Sequence, residues 1–444
     1  MTNSGRPRGR IAALARHPAV RVAVILLVLC LAVPVLWVLN LERGLEAEYA
    51  AIREKGLPVT LGELDAWYDA PPAAENAADV FAQAFEQQVL PDDKESGLLP
   101  LVGGAGLPAP SAAFDDAMKQ AIAEHVALNA ACLDLLHKAA GMPRCRYPAD
   151  LSQWPLPPQE HWARAPSATR LLTLQAIHLT EAGDADGAAG ALAAALAISR
   201  SLGQEPLVIS QIVGAACWDT TCYGIEWTLK RGGQTEASLA RLSDALVAQE
   251  ENAQFWRGYV GERCSVIHGM EHVQAVEASD AFEWSDLFDM AGLWRRDMLR
   301  FLRDMDALIE AAQQPPWQAY AGVREECAAL GAQSPTIFRV MLPSFARAMT
   351  AHTRGVAQRC MAQVAVAAER YRLATGGLPD ALEELVPEYL PSVPIDPFDG
   401  NPIRYRKTET GYVVYSIALD EVDGGGAETE DDGEFGDLAF AVAR

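Results

Sequence analysis

His268, Glu271 and His272 stand together in the segment His-Gly-Met-Glu-His. On a helix, positions four apart share a face, so both imidazoles would point the same way. Two such nitrogens are the start of a zinc site, and a carboxylate beside them serves as general base for a metal-activated water. Cys264 lies one turn earlier. A hydrolytic site needs a third protein ligand, and the downstream glutamates Glu310, Glu325 and Glu326 are the candidates. Against this, Gly269 weakens the helix, and two surface histidines meet the same spacing by coincidence.

A second group is acidic. The stretch from Asp420 to Asp437 holds nine acids and no base. A hard cation such as calcium takes six to eight oxygens, and a flexible acidic loop supplies them; the plain alternative is a solvated loop. The order H-x-x-E-H, for its part, fits the inverted zinc peptidases, which makes a zinc metallopeptidase the enzymatic reading. No CxxC, GxSxG, Walker loop or GxGxxG opening a helix occurs. Trp218, Trp227, Trp256, Trp284 and Trp294 read as packing residues rather than a sugar platform. Glu262 and Arg263 read as a buried or interhelical ion pair. Of eight cysteines, most read as small buried hydrophobes, and Cys132 and Cys145 would pair if a helix end folds back.

The elements that must position these groups come from a chain of 444 residues, half hydrophobic, with a formal charge of −23. That length suits two or three domains. The charge argues against a nucleic-acid partner, which needs a basic face. Only the N-terminus is basic: Arg6, Arg8, Arg10, Arg16 and Arg21 come with no acid among them. Residues 22–39 carry no charge. Eighteen helical residues span about 27 Å, close to a hydrocarbon core of ~30 Å. The expected order is a cytoplasmic basic segment at 1–21, a transmembrane helix at 22–40 and a juxtamembrane segment at 41–75. By the positive-inside rule the protein sits in the inner (cytoplasmic) membrane with its N-terminus cytoplasmic and its body periplasmic or extracytoplasmic.

A helical domain is expected over 76–344. Asn76 caps a helix there, and Ser111 caps another running to Ala140. Residues 156–170 read as an irregular link. Helices at 171–181 and 188–202, joined by Ala-Gly-Asp-Ala-Asp-Gly, resemble one tetratricopeptide hairpin, although no repeat at the ~34-residue period follows. A second pair spans 207–229 and 235–256. More helix is expected at 285–312 and 321–330. A long helix at 345–375 ends on Gly376 and Gly377.

After that helix Asp380 caps a short one, with Glu383 three residues on. Pro387, Pro391, Pro394 and Pro397 stop further helix. Residues 403–407 and 412–417 read as a β-hairpin with Gly411 in the turn, and a last strand begins at Leu438. The order of Tyr371, Gly377, Pro379, Leu382, Leu385, Pro387, Tyr389, Leu390, Pro394, Asp396, Pro397, Gly400, Pro402, Tyr405, Tyr415 and Ser416 resembles the C-terminal part of the major, G-type pseudopilin of type II secretion. The resemblance covers about the last fifth of the chain. It implies a small α+β domain at 345–444 with a three-stranded antiparallel sheet, and calcium in the last loop. Asp420 and Asp437 match ligand positions of that family, and Asp423, Asp431 and Asp432 are further candidates. The N-terminus departs from the family: it has no Gly-Phe-Thr-Leu-Leu-Glu-like cleavage site, and no glutamate stands five residues into the apolar run. The whole arrangement resembles membrane-anchored bacterial proteins.

The expectation is therefore a mainly α protein: a transmembrane helix, an irregular, partly tetratricopeptide-like helical body and a small α+β end. Its expected role is non-enzymatic, an envelope protein with a helical interaction surface and a calcium-binding C-terminal domain, its partners being the membrane and envelope or secretion proteins. A zinc peptidase and a subunit associated with type II secretion are the alternatives.

Overall fold

The structure, a computed structural model, describes residues 18–153, 155–250, 254–277, 293–330, 336–426 and 436–443. These form fourteen α-helices and one three-stranded antiparallel sheet. Helix α1, Pro18–Glu54, has Pro34 inside it. Its first half is long and apolar enough to cross a membrane, and none of that stretch is buried in the protein. The helix does not stop where the apolar run ends. Leu41, Leu45 and Ile52 turn into the core, so the juxtamembrane residues belong to the folded body.

Short helices follow: α2 (Leu61–Trp67), α3 (Ala77–Gln87), α4 (Asp93–Ser96), α5 (Asp116–Leu128) and α6 (Ala130–Ala140). Asn76 caps α3 through the amide of Ala78. Ser111 caps nothing. Asp115 takes that role, accepting from the Met118 amide at 2.7 Å, because an ionised acceptor at a helix start also meets the positive end of the dipole. The helix expected to run to Ala140 breaks at Asn129, whose amide group binds both the N–H and the carbonyl of Val89.

Helix α7, Glu160–Glu181, absorbs the segment read as an irregular link, with Pro166 inside it. The cause is tertiary: Ala165, Ala168, Leu171 and Leu172 are fully buried, and packing of an apolar face outweighs local propensity. With α8 (Ala185–Gly203) it forms the expected hairpin, turned at Gly183 with φ +80° and capped by Asp184. Ala188, Ala191, Ala194 and Ala195 are buried along α8, and small side chains there shorten the distance between helix axes. Helices α9 (Val208–Arg231) and α10 (Glu236–Glu250) form the second pair.

Next come α11 (Trp256–Glu277), α12 (Leu293–Ala312), α13 (Pro316–Leu330) and α14 (Thr336–Thr375). The helix expected from 345 starts earlier and carries Pro343. Gly376, at φ +83°, ends it with its N–H on the Arg372 carbonyl. Arg263 and Glu262 do not pair with each other, since neighbours on a helix point apart. Arg263 is fully buried on α11; it reaches Asp306 on α12 at 3.0 Å and the Pro58 carbonyl at 3.2 Å.

Strands β1 (Arg404–Lys407), β2 (Gly411–Ser416) and β3 (Leu438–Ala443) pair in that order. Arg404 stands opposite Tyr415, and Tyr412 opposite Val442. β2 is covered on both faces. The Tyr412 hydroxyl donates to the Ala365 carbonyl of α14 at 3.1 Å, and Gly426 lies against Tyr415 and Val413. Gly411 opens β2 rather than sitting in the turn: a Cβ there would fall 1.8 Å from the Val442 carbonyl oxygen. On the outer edge of β3, Glu226 of α9 accepts from the Ala441 amide at 3.1 Å, which closes an edge otherwise open to pairing. Asp380 is not a helix cap. Glu384 accepts from the Asp380 and Ala381 amides, and Asp380 pairs with Lys407.

One core runs from Leu41 to Val442 through helices and sheet alike. All eight cysteines are free thiols. Cys132 and Cys145, which a folded-back helix end would have paired, are both buried free thiols, and the Cys145 backbone is held by Gln204 and the Tyr68 hydroxyl. Gly261 of α11 shows how closely elements approach: an added Cβ would stand 1.8 Å from the Pro206 carbonyl oxygen. Gly261→Ala should therefore destabilise the protein by about 1–3 kcal/mol, the usual cost of overpacking, read from chemical denaturation in detergent. An unchanged midpoint would mean that α11 is not seated on the 206–208 turn.

Candidate functional site

The C-terminal sheet is built around one carboxylate. Asp396, within the proline-rich link, is fully buried. Its oxygens accept from the amides of Phe398 (3.0 Å) and Ile417 (3.2 Å), from the Ser416 hydroxyl (2.9 Å) and from the Arg404 guanidinium (2.8 Å). The link, β1 and β2 are thus tied at one point. Burial pushes the Asp396 carboxyl above its ordinary value, while these amide and hydroxyl donors pull it back. Arg404 also binds Asp399 and lies 3.5 Å from Asp423. Burial alone would raise Asp399, but its bonds to Arg404 and Asn401 hold it below the usual carboxylate value.

The acidic loop leaves from this knot. Asp420 ends a short turn and accepts from the Val422 amide at 3.1 Å. Asp423 accepts from the Gly425 amide at 2.9 Å. Asp437, buried just before β3, folds back to accept from the amides of Gly424 (3.3 Å) and Gly426 (2.6 Å). Each of the three is committed to a local amide, and Asp423 also faces Arg404. Among the described residues no three His, Cys, Asp or Glu side chains gather as a metal-holding group. Asp431 and Asp432 lie outside the described residues.

His268 and His272 do come together on α11, their rings stacked with centroids 4.9 Å apart. Glu271 is exposed and accepts from the Tyr49 hydroxyl of α1 at 3.2 Å. Of the candidate third ligands, Glu310 pairs with Lys55 at 2.8 Å, Glu325 is exposed and Glu326 half-buried. Two histidines and a nearby glutamate are in place, and no third ligand joins them among the described residues.

Two further groups were invisible in the sequence. Glu205, fully buried after α8, accepts from His161 at 3.0 Å, from the indole N–H of Trp162 at 3.3 Å and from the Ser210 hydroxyl. The residue types are those of a hydrolase triad, but the bonding is different. Serine and histidine meet the same carboxylate oxygen rather than each other, so the imidazole does not face the hydroxyl as it would in a triad. The cluster anchors the α8–α9 turn. The other group borders a cavity of about 90 Å³ between α8, α9, α10 and α14, lined by Arg200, Gln211, Trp218, Gln249, His352 and Arg359. The His352 ring stacks on Phe255, and burial, with Arg359 adding to it, pushes its imidazole down to about 3. Neither group has a motif, because its members are brought together from distant turns. No family model, curated protein or solved structure matches the chain.

Arg404→Ala should cost the sheet about 3–5 kcal/mol, the penalty for leaving one partner of a buried pair alone. Asp396→Asn, which removes the charge with the shape kept, should cost less. Amide exchange along β2 reads both, and equal losses would deny that the buried charge matters. His352 predicts a pH dependence. The unfolded chain takes up a proton near its ordinary value of about 6.5. The folded chain does so only near 3. Stability should fall as pH drops through that window, and His352→Gln should flatten the fall in thermal melts.

Proposed function

We propose that the protein is a non-enzymatic, single-pass membrane protein of the cell envelope. Its N-terminus lies in the cytoplasm and its helical body and sheet on the other side of the inner membrane. The observation that carries this reading is α1, whose uncharged, unburied half is continuous with a core-forming half. The arginines before residue 22 favour the cytoplasmic side. The body offers helical faces for envelope partners, and secretion proteins are one class of these. The pseudopilin-like order of residues 371–416 and the shared three-strand topology support a sheet domain that is stabilised by calcium in the 420–437 loop. Since Asp420, Asp423 and Asp437 do not converge by themselves, that ion would need further ligands from the rest of the loop. The zinc reading keeps one supporting observation, the stacked pair His268 and His272 beside Glu271.

One set of measurements separates these readings. Fused at the C-terminus, alkaline phosphatase should be active and green fluorescent protein dark; the reverse pattern overturns the orientation. In detergent the purified chain should melt higher with calcium than with magnesium or a chelator, and Asp420→Asn should abolish the difference. Stoichiometric zinc that is lost in His268→Ala would instead favour the peptidase.

A further inference from the structure

The register between α1 and α12 sets which part of the body lies level with the end of the apolar run of α1. Gly44 lies against Leu299, its added Cβ 3.2 Å from a leucine methyl. Glu48 pairs with Arg303 at 2.8 Å, and Lys55 with Glu310 at 2.8 Å. Both ion pairs join residues 255 apart in number, and so does the Gly44 contact. The two helices are therefore parallel and in step, each rising ~1.5 Å per residue. With that offset Trp294 and Arg295 stand level with Leu39 and Asn40, where the uncharged run of α1 ends. The first turn of α12 is thus fixed at the height where a bilayer passes from hydrocarbon to headgroups.

The residue types at this height suit that layer. Trp37 on α1 is exposed, and Trp294 half-buried, with the Arg295 guanidinium 4.6 Å above its ring. Indole rings favour the membrane interface, and arginine binds phosphate through a planar pair of donors. Residues 40–45 and 295–300 carry Arg43, Arg295, Arg296 and Arg300 against only Glu42 and Asp297, in a chain whose formal charge is −23. Arg296 is exposed although it pairs with Asp297. A strongly acidic body would be repelled by an anionic surface; the 295–300 turn, with three arginines against Asp297, is the part placed level with one, although the stretch 277–292 before it carries five acids and no base.

We infer that the start of α12, with Trp294, Arg295 and Arg296 level with the end of the apolar run of α1, rests in the headgroup layer and binds anionic phospholipid. This rests on the membrane-anchor reading above. The body then sits flat on the bilayer rather than standing away on a stalk, held at two points, the anchor and this turn.

The full chain in liposomes with nitroxide-headgroup lipids tests it. Difference signals from Trp37→Phe and Trp294→Phe report quenching at each indole, with the core residue Trp227 as the dry reference. Both indoles should be quenched. Quenching of Trp37 with Trp294 as silent as Trp227 overturns the inference and leaves the anchor standing. Silence at both overturns the anchor reading itself. Phosphatidylglycerol retained on the protein, counted by native mass spectrometry from mixed phosphatidylcholine–phosphatidylglycerol vesicles, should drop about fivefold for each arginine lost in Arg295→Gln and Arg296→Gln. Arg296→Glu, at an exposed position, should drop it further. Equal retention of both lipids, or no change in any variant, also overturns the inference.

Discussion

An unbroken helix through the end of a hydrophobic run is the constraint on which the rest of this architecture depends. A flexible linker after residue 39 would have left the body free to take any attitude toward the apolar half of the helix. Instead α1 carries its backbone hydrogen bonds straight from the exposed apolar half into the core, where Leu41, Leu45 and Ile52 are buried. Bending a helix there would break ladder bonds that nothing replaces. α12 then runs beside it in constant register, joined by Arg303–Glu48 and Lys55–Glu310. Exposed pairs of this kind add little stability. Their consequence is geometric, because they fix the height at which each turn of α12 stands.

Away from the anchor, the irregular joints of the fold are held by buried charge. Arg263 ties the link after α1 to α12 through Pro58 and Asp306. Glu205 ties the start of α7 to the α8–α9 turn through His161 and Ser210. Asp396 ties the proline-rich link to both β1 and β2. Each lies where the chain leaves regular structure: Arg263 gives to a backbone carbonyl, Glu205 takes side-chain donors and Asp396 takes backbone amides. A buried carboxylate satisfies several donors at once, at a desolvation cost that only full hydrogen bonding offsets. This is why groups that look like reaction chemistry in composition serve to close turns here.

Much of the fold was legible in the sequence because it follows from local periodicity. The apolar run of α1, the α7–α8 hairpin with its Gly183 turn and the order of three strands are all set by neighbours in the chain. What escaped was set by distant contacts. The start of α7 reads as a link because Pro166 interrupts the pattern, yet burial of Ala165 and Ala168 keeps it helical. Gly411 reads as a turn residue, while its real neighbour is the Val442 carbonyl on another strand. Arg263 has an acid beside it in sequence and pairs with one on another helix. The candidate sites divide in the same way: His268 and His272 meet because both lie on one helix, whereas the residues around Glu205 and His352 leave no local trace.

The His268–His272 pair also shows why a motif is only half of a site. Helical spacing brings two imidazoles together with no help from the fold. A metal centre needs a third group carried in by a different element, and it needs the outer polar atoms to orient the ligands. In this structure the glutamate beside the pair is turned toward Tyr49 of α1, and Glu310 is drawn to Lys55. Both acids are engaged in joining α11 and α12 to the anchor helix. The acids nearest the histidine pair are thereby used to hold α11 and α12 against the long N-terminal helix and its end.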